Sequence, residues 1–301
     1  MPYKPRTESN EFIILKSLNT RMTLSAKDNQ HYLHLKKGYE GEFMFDLLTD
    51  KLQCECLILN DLLLKSNNTT FQIDSLVILS DTIHLFEVKN YEGDYYYESD
   101  RIYKKPKTEI TNPLIQLTRC ESLLRQLLQN LGFKLPIVAS VVFINPEFTL
   151  YQAPLDKPFI FPTQIQRFLR QLSSAPSKLN GKHKMLADKL ISLHLEDSSF
   201  NQLPSYDFNQ LRKGIICAKC NSFSISVRGK NCFCMDCGHE EMATSAIMRS
   251  VNEFRLLFPK LKMNTNIIHE WCKVVDSKKR IRQILDKNFK IIGVRRWSFY
   301  E

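Results

Sequence analysis

Glycine and tryptophan are scarce in this chain, with 9 Gly, 2 Trp and 12 Pro among 301 residues. So little glycine excludes a collagen-like repeat, and 43% apolar with 25% charged residues excludes a disordered or low-complexity chain. Long apolar runs are missing as well. The most apolar stretch, Ile137 to Ile144, is eight residues with Ser140 among them, against the ~20 that a spanning helix needs. No apolar segment as long as the ~7–15 residues of a signal's core follows the N-terminal residues Met1 to Arg6, so a secretory signal is not expected and a cytoplasmic protein without a membrane partner is. An even set of cysteines is also lacking. There are nine, which argues against a disulfide framework. Five of them lie between Cys217 and Cys237, and such clustering in a reducing compartment points to metal.

Acidic residues fall short of basic ones in only one region. The chain carries 42 Lys+Arg and 32 Asp+Glu, of which residues 209–301 hold 18 and 8, leaving 24 of each in the first 208. A localised basic segment suits a polyanion, because phosphate neutralisation with counterion release dominates nucleic-acid affinity. A solvated basic surface kept for solubility is the plainer reading.

Hydrophobic periodicity predicts a mixed α/β core. After a possible strand at Glu11 to Leu18 and a polar stretch, Gly38 to Thr49 reads as a helix with Phe43, Leu47 and Leu48 on one face. Strand-like runs follow at Cys54 to Leu64, Phe71 to Leu79 and Ile83 to Lys89, then a tyrosine-rich hairpin at Asp94 to Lys104. Pro113 to Leu131 is the clearest helix and Ile137 to Ile144 a strand buried on both faces. Helices are expected at Thr163 to Leu172 and Lys184 to His194, and a linker from Glu196 to Tyr206. The expected domains are 1–208, 209–245 and 246–301.

Asp74, Glu87 and Lys89 are candidate catalytic residues. Residues two apart on a strand share a face, so Glu87 and Lys89 point together, and Asp74 joins them if the two runs pair. Carboxylates placed beside apolar strands are costly unless a cation compensates, and hard oxygen donors suit Mg²⁺ or Mn²⁺. Such an ion acidifies water for attack on a phosphodiester. Spacing alone does not decide this, since Asp, Glu and Lys near strand ends are common.

The segments Gly38-Tyr39-Glu40-Gly41-Glu42, Gln72-Ile73-Asp74, Glu87-Val88-Lys89-Asn90 with Gly93, and Asn112-Pro113 with Gln116 resemble the NERD (nuclease-related) domain. That family belongs with the PD-(D/E)xK nucleases, whose restriction-endonuclease-like core has the order α-β-β-β-α-β. The resemblance covers about Lys37 to Asn145. It implies that Asp74 and Glu87 bind the metal, that Glu42 completes its shell, that Lys89 is the catalytic lysine and that Gln116 faces the site.

Cys217-x2-Cys220 and Cys234-x2-Cys237, thirteen residues apart, have the spacing of a zinc ribbon. Each pair grips one ion from a tight turn, and a hairpin through Gly229-Lys230 joins them. Cys232 and His239 are weaker substitutes. With four protein ligands the ion is structural.

Thr265 to Val275 and Lys278 to Asn288 read as helices, the second capped by Ser277 and carrying Lys278, Lys279 and Arg282 outward. A hairpin with Arg295 and Arg296 follows. This plan resembles the winged-helix pieces at the ends of phage and plasmid primase-helicases, which implies DNA binding; a solvated face or a protein-docking module are the alternatives. The expected protein is therefore a metal-dependent nuclease acting on DNA, with RNA open and no small-molecule cofactor. A catalytically inactive DNA-binding or regulatory protein on the same scaffold is the alternative. Oligomeric state is not legible.

Overall fold

The structure is a computed structural model and describes residues 1–195, 202–293 and 298–301. Near the N-terminus, Phe12, Leu15 and Leu18 recur every three residues and are all buried. That spacing belongs to a helix, so the strand expected at Glu11 to Leu18 is instead α1 (Asn10–Arg21). The following helix, α2 (Ala26–Thr49), starts well before the expected Gly38. Ser25 caps it, its Oγ accepting from Asp28 N at 3.1 Å, and no Pro interrupts the polar residues that follow. The inward face of α2 is also corrected: Phe43 and Leu47 are exposed, whereas Gly41, Phe45 and Thr49 are buried at four-residue spacing.

The chain forms two compact units, Met1–Ser9 with Leu33–Phe200 and Asn10–Tyr32 with Asn201–Glu301. Helix α1 thus belongs to the second unit, a placement that no local pattern in the sequence announces.

In the first unit, β1 (Leu57–Ser66), β2 (Thr69–Ile78) and β3 (Ile83–Lys89) form an antiparallel meander. The chain then makes β4 (Gly93–Glu98), β5 (Arg101–Lys104) and β6 (Thr108–Ile110) before α3 (Pro113–Asn130). Asn112 caps α3, accepting from Leu114 N at 3.0 Å, and Pro113 occupies the first turn where its missing N–H costs nothing. Gly132, at φ +79°, ends the helix in a Schellman turn closed by Phe133 N on Leu128 O at 2.9 Å. Buried Leu117, Leu124 and Leu128 hold α3 on the sheet, and truncating one to Ala costs about 2–5 kcal/mol.

β7 (Ile137–Phe143) returns parallel to β3, β8 (Phe148–Tyr151) pairs parallel with β4, and β9 (Phe159–Ile160) adds beside β7. The result is a mixed sheet in the order β1-β2-β3-β7-β9 and a second sheet in the order β6-β5-β4-β8. Helices α4 (Pro162–Ser173) and α5 (Gly181–Ser192) complete the unit. This is a mixed α/β fold with mixed sheets flanked by helices.

The second unit contains β10 (Ile225–Arg228), β11 (Asn231–Cys234) and β12 (Glu240–Met242) as one antiparallel sheet. An unforeseen helix, α6 (Ala243–Leu257), follows directly. Then come α7 (Thr265–Cys272), α8 (Lys278–Asn288) and the short pair β13 (Ile291–Ile292) and β14 (Phe299–Tyr300). Trp271, Phe254, Ile268 and Ile281 form its core with Leu18 of α1. Arg21 lies buried there, stacked 3.9 Å from the Trp271 ring and paired with Glu253 at 2.6 Å. The expected linker falls largely on residues 196–201, outside the described residues. Among the described residues, no helix is long and apolar enough to cross a membrane.

Candidate functional site

Backbone pairing is interrupted on both sides of Asp74. The β1–β2 ladder skips Asp61, which lies opposite Asp74 at φ +54°, a conformation few non-glycine residues adopt. The β2–β3 ladder stops at Ser75 and Phe86. Beyond that point the Asp74 side chain takes over, its Oδ2 accepting from Val88 N at 2.8 Å. One register step on, Asp74 and Glu87 fall opposite each other, and both are buried.

Lys89 Nζ lies 2.6 Å from Glu87 Oε1 and donates to Gln116 Oε1 at 3.1 Å. Its approach to Glu87 is an ion pair off the hydrogen-bonding direction, so the buried Oε1 has no directed donor. Burial first, and then Asp74, push the Glu87 carboxyl up to about 8. Burial also raises Asp74, against the opposing pull of Lys89 and the Val88 N–H. Burial alone would lower Lys89, but Glu87 and Asp74 outweigh it and keep the ammonium charged. Cys120, one turn beyond Gln116 on α3, is driven up to about 12 by burial and by the same carboxylates. Its thiol stays neutral and donates to Gln72 O at 3.2 Å.

Arg6 is the residue that sequence reasoning missed. Tyr3 and Lys4 run along β1, with Tyr3 N donating to Ile58 O at 2.8 Å and Asn60 N donating to Lys4 O at 2.9 Å. This track delivers the Arg6 guanidinium to Glu42 and Asp46, one turn apart on α2. Arg6 donates to both Asp46 carboxylate oxygens, at 2.8 and 3.0 Å, to Glu42 Oε2 and to the Asp74 carbonyl at 2.7 Å. Burial and then Asp74 raise the Glu42 carboxyl to about 9 in spite of Arg6. The i, i+4 spacing of Glu42 and Asp46 was a readable signal of a shared partner; nothing around Arg6 named it.

Gly41 fixes where α2 crosses the sheet. A methyl group there would lie 2.5 Å from Asn90 Cβ, closer than packing allows. Asn90 in turn donates to Lys37 O at 2.8 Å and accepts from Asn145 Nδ2 at 3.0 Å, tying the ends of β3 and β7 to α2.

Asp74, Glu87, Lys89 and Gln116 therefore meet, while Glu42 stands beside them in the grip of Arg6. Among the described residues, Glu42, Asp74 and Glu87 do not form a set of three donors within 4.8 Å of one another. The undonated Glu87 Oε1 and the facing Asp74 carboxylate nevertheless fit a hard divalent cation, which takes oxygen ligands.

The four cysteines do form such a set. The donor sulfurs of Cys217, Cys220, Cys234 and Cys237 all lie within 4.8 Å of one another. Cys217 to Cys237 and Cys220 to Cys234 are each 3.6 Å, far beyond a disulfide and close to the edge of a tetrahedron with metal–sulfur bonds of about 2.3 Å. Each knuckle ends in a left-handed residue, Asn221 (φ +59°) or Gly238 (φ +70°), that lets the chain turn tightly behind its cysteine pair. Burial raises the Cys217 thiol, but N–H donors from Cys220 and Lys219 overcome it and bring it down to about 7. Cys232 lies apart from the cluster, buried in the helical core beside Ala243 and Ile247.

Residues 37–144 match the model of a nuclease-related domain (NERD). No curated protein and no solved structure matches the chain. The matched span holds Glu42, Asp74, Glu87, Lys89 and Gln116, and omits Arg6 and the cysteine cluster.

Lys278, Lys279 and Arg282 line a groove of about 560 Å³ with Asn264, Asn266 and Tyr300. Lys278 donates to Asn266 Oδ1 at 3.1 Å, and Arg282 lies 3.6 Å from Asp286. On the same helix Arg280 leaves the groove and donates to Gly229 O at 2.7 Å, fastening α8 to the β10–β11 turn. The expected contacts of Arg295 and Arg296 lie outside the described residues.

Proposed function

We propose that this protein is a metal-dependent nuclease of PD-(D/E)xK type that hydrolyses phosphodiester bonds of DNA. What carries the reading is the meeting of the buried Asp74 and Glu87 with the half-buried Lys89 within a span that matches a nuclease-related domain. Asp74 and Glu87 would hold Mg²⁺ or Mn²⁺. A bound ion of this kind acidifies water and neutralises charge on the leaving oxygen. Lys89, kept protonated by the two carboxylates, directs its ammonium toward the phosphate and stabilises the charge that develops there. Gln116 orients Lys89 through its amide oxygen. Arg6 positions Glu42 and Asp46 and balances their charge.

The cysteine cluster is read as a structural zinc ribbon formed on β10 and β11. The groove on α8, with α7 and the β13–β14 pair, is read as a winged helix that meets the phosphate backbone of DNA. One observation favours the second reading, a nucleic-acid-binding protein without catalysis: Glu42 is committed to Arg6 rather than gathered with the other two carboxylates.

Cleavage of plasmid and single-stranded DNA in Mg²⁺ or Mn²⁺ separates the two. The nuclease reading expects products that vanish with chelator and in Asp74→Asn. Binding without products under both metals would support the inactive scaffold.

A further inference from the structure

The sheet β6-β5-β4-β8 has two unlike faces. Tyr95, Ile102 and Phe148 are buried on the inner one. On the other, three tyrosines stand in one row across three neighbouring strands. Tyr96 pairs in register with Tyr103 on β5 and with Tyr151 on β8. The Tyr96 and Tyr103 rings stack, 5.1 Å between centroids and 15° from parallel, and Tyr151 is 44% exposed. Lys105 lies 3.8 Å over the Tyr151 ring. Residues 101–107 (RIYKKPK) hold four basic side chains and no acidic one. Of these, Lys105 and Lys107 form no ion pair among the described residues, whereas Arg101 pairs with Glu109 at 3.2 Å.

A row of rings on a sheet, Tyr151 exposed and Tyr96 and Tyr103 half-buried, edged by unpaired lysines, is what unpaired bases need. Every base has a face that stacks on tyrosine, and the lysines meet the phosphates between them. Duplex bases are already stacked and offer no such face. The position also suits the site, because Tyr96 follows Lys89 by seven residues, at most about 25 Å of extended chain.

We infer that Tyr103, Tyr96 and Tyr151, with Lys105 and Lys107, form a platform that binds single-stranded nucleic acid. This deepens the nuclease reading by naming the form of strand delivered to the carboxylates, and its test runs without cleavage. The full chain carrying Asp74→Asn is titrated without added Mg²⁺ or Mn²⁺, and without chelator so that the cysteine cluster keeps its metal, with fluorescent oligothymidylate, oligouridylate and a short duplex. Tyr96→Ala and Tyr151→Ala are each expected to weaken single-strand binding about tenfold, in line with the contribution of one stacked base. Duplex binding should stay within about twofold, and Tyr96→Phe and Tyr151→Phe should bind like the parent because the ring is kept. Lys105→Gln should flatten the log–log salt slope by about 0.7. The oligothymidylate and oligouridylate arms show whether DNA or RNA is preferred.

Single-strand affinity unchanged in both alanine variants would overturn the platform and leave that face to a protein partner. Equal loss of single-strand and duplex binding would overturn it too, as would phenylalanine variants as weak as the alanine ones. Failure of the nuclease reading looks different: the parent sequence would bind single strands through these tyrosines yet yield no products with any metal.

Discussion

The two candidate metal sites are assembled in opposite ways. The cysteine cluster comes from two four-residue turns, and its sulfurs already stand 3.6 Å apart in opposing pairs. Its geometry is set locally, by x2 spacing and by Asn221 and Gly238 behind the turns. The carboxylate site is gathered from residues 6, 42, 46, 74 and 87, and Arg6 and Lys89 hold its charges apart. Without metal, the pull of nearby N–H donors on Cys220 and Cys237 is outweighed by burial and the neighbouring sulfurs, which raise both, so as neutral thiols they stand close together at little electrostatic cost. Buried carboxylates repel one another, so the fold supplies Arg6 and Lys89 as counterions. One site is expected to depend on metal for its folding, the other to tolerate its absence.

That difference is sharpest in the response to chelation. Removing zinc, or substituting Cys217→Ser or Cys237→Ser, should unfold residues near 215–240, because short metal-bound segments draw about 10–16 kcal/mol of apparent folding energy from zinc. Disorder should spread toward α6, since β12 runs straight into it and Cys232 shares its core. Elemental analysis should give one zinc per chain, and proteolysis should cut the stripped protein there first. A chain purified without chelator that holds no zinc and resists protease would make the two sites alike.

The carboxylate site should respond in activity rather than in fold. Asp74→Asn and Glu87→Gln are expected to lower metal-dependent cleavage by about 10³-fold or more, several kcal/mol of lost transition-state stabilisation. Asp74→Asn should melt no lower than the parent, because the crowding of carboxylates eases while the amide oxygen still accepts from Val88 N. Glu87→Gln should melt somewhat lower, because Lys89 loses its ion-pair partner. Asp74→Ala differs: it strands the Val88 N–H, at a cost of about 1–3 kcal/mol. Cation binding near neutral pH should release a proton, since Glu87 is held up to about 8 without it. Full cleavage by Asp74→Asn would remove the site from the chemistry.

How much of each region was legible follows from the same contrast. The cysteine cluster, β3 and the start of α8 could be read because their signals are local: a spacing, an apolar run, a Ser cap. The pairing of Asp74 with Glu87 was readable in outline, since two strands joined by a short turn tend to pair. The grip of Arg6 on Glu42 was not, because it joins residues 36 apart through a chain track along β1. Helix α1 was misread for another reason. The run Phe12-Ile13-Ile14-Leu15 is apolar enough for a strand, and only its burial on one helical face reveals the period. The exposed Phe43 and Leu47 misled in turn, because Gly41, not an apolar residue, marks the face that α2 presses on the sheet.

Arg6 offers a smaller and more pointed test. Groups whose native pKa is raised bind more protons folded than unfolded, so their contribution is complete below the unfolded value and is lost as pH climbs. For Glu42 that window runs from about 4.5 to about 9. Removing Arg6 raises both carboxyls further; the added loss sets in for Asp46 once it ionises in the parent, and for Glu42 only above about 9, so Asp46 carries the difference near neutrality. Arg6→Ala should therefore be nearly neutral at pH 4 and cost about 3–5 kcal/mol near neutrality, the range for breaking a buried ion pair. Denaturant melts at the two pH values measure it. An equal deficit at both would mean that Arg6 acts by packing alone.

The smallest expected effect lies on α8, where the basic groove of the second unit faces solvent. If Lys278, Lys279 and Arg282 each meet a phosphate, the log–log salt slope for duplex DNA should flatten by about 0.9 for each residue replaced by Ala, and by two to three for the triple variant. The individual values should differ. Lys279 forms no ion pair among the described residues and should show the full change. Lys278 must leave Asn266, and Arg282 must leave Asp286, before either reaches DNA, so their single substitutions should show less. Asp286→Asn frees Arg282 and should tighten binding slightly at low salt, an effect that disappears as salt screens it. A slope unchanged in the triple variant would mean that no phosphate enters the groove, and the excess charge of residues 209–301 would then serve solubility or a protein partner.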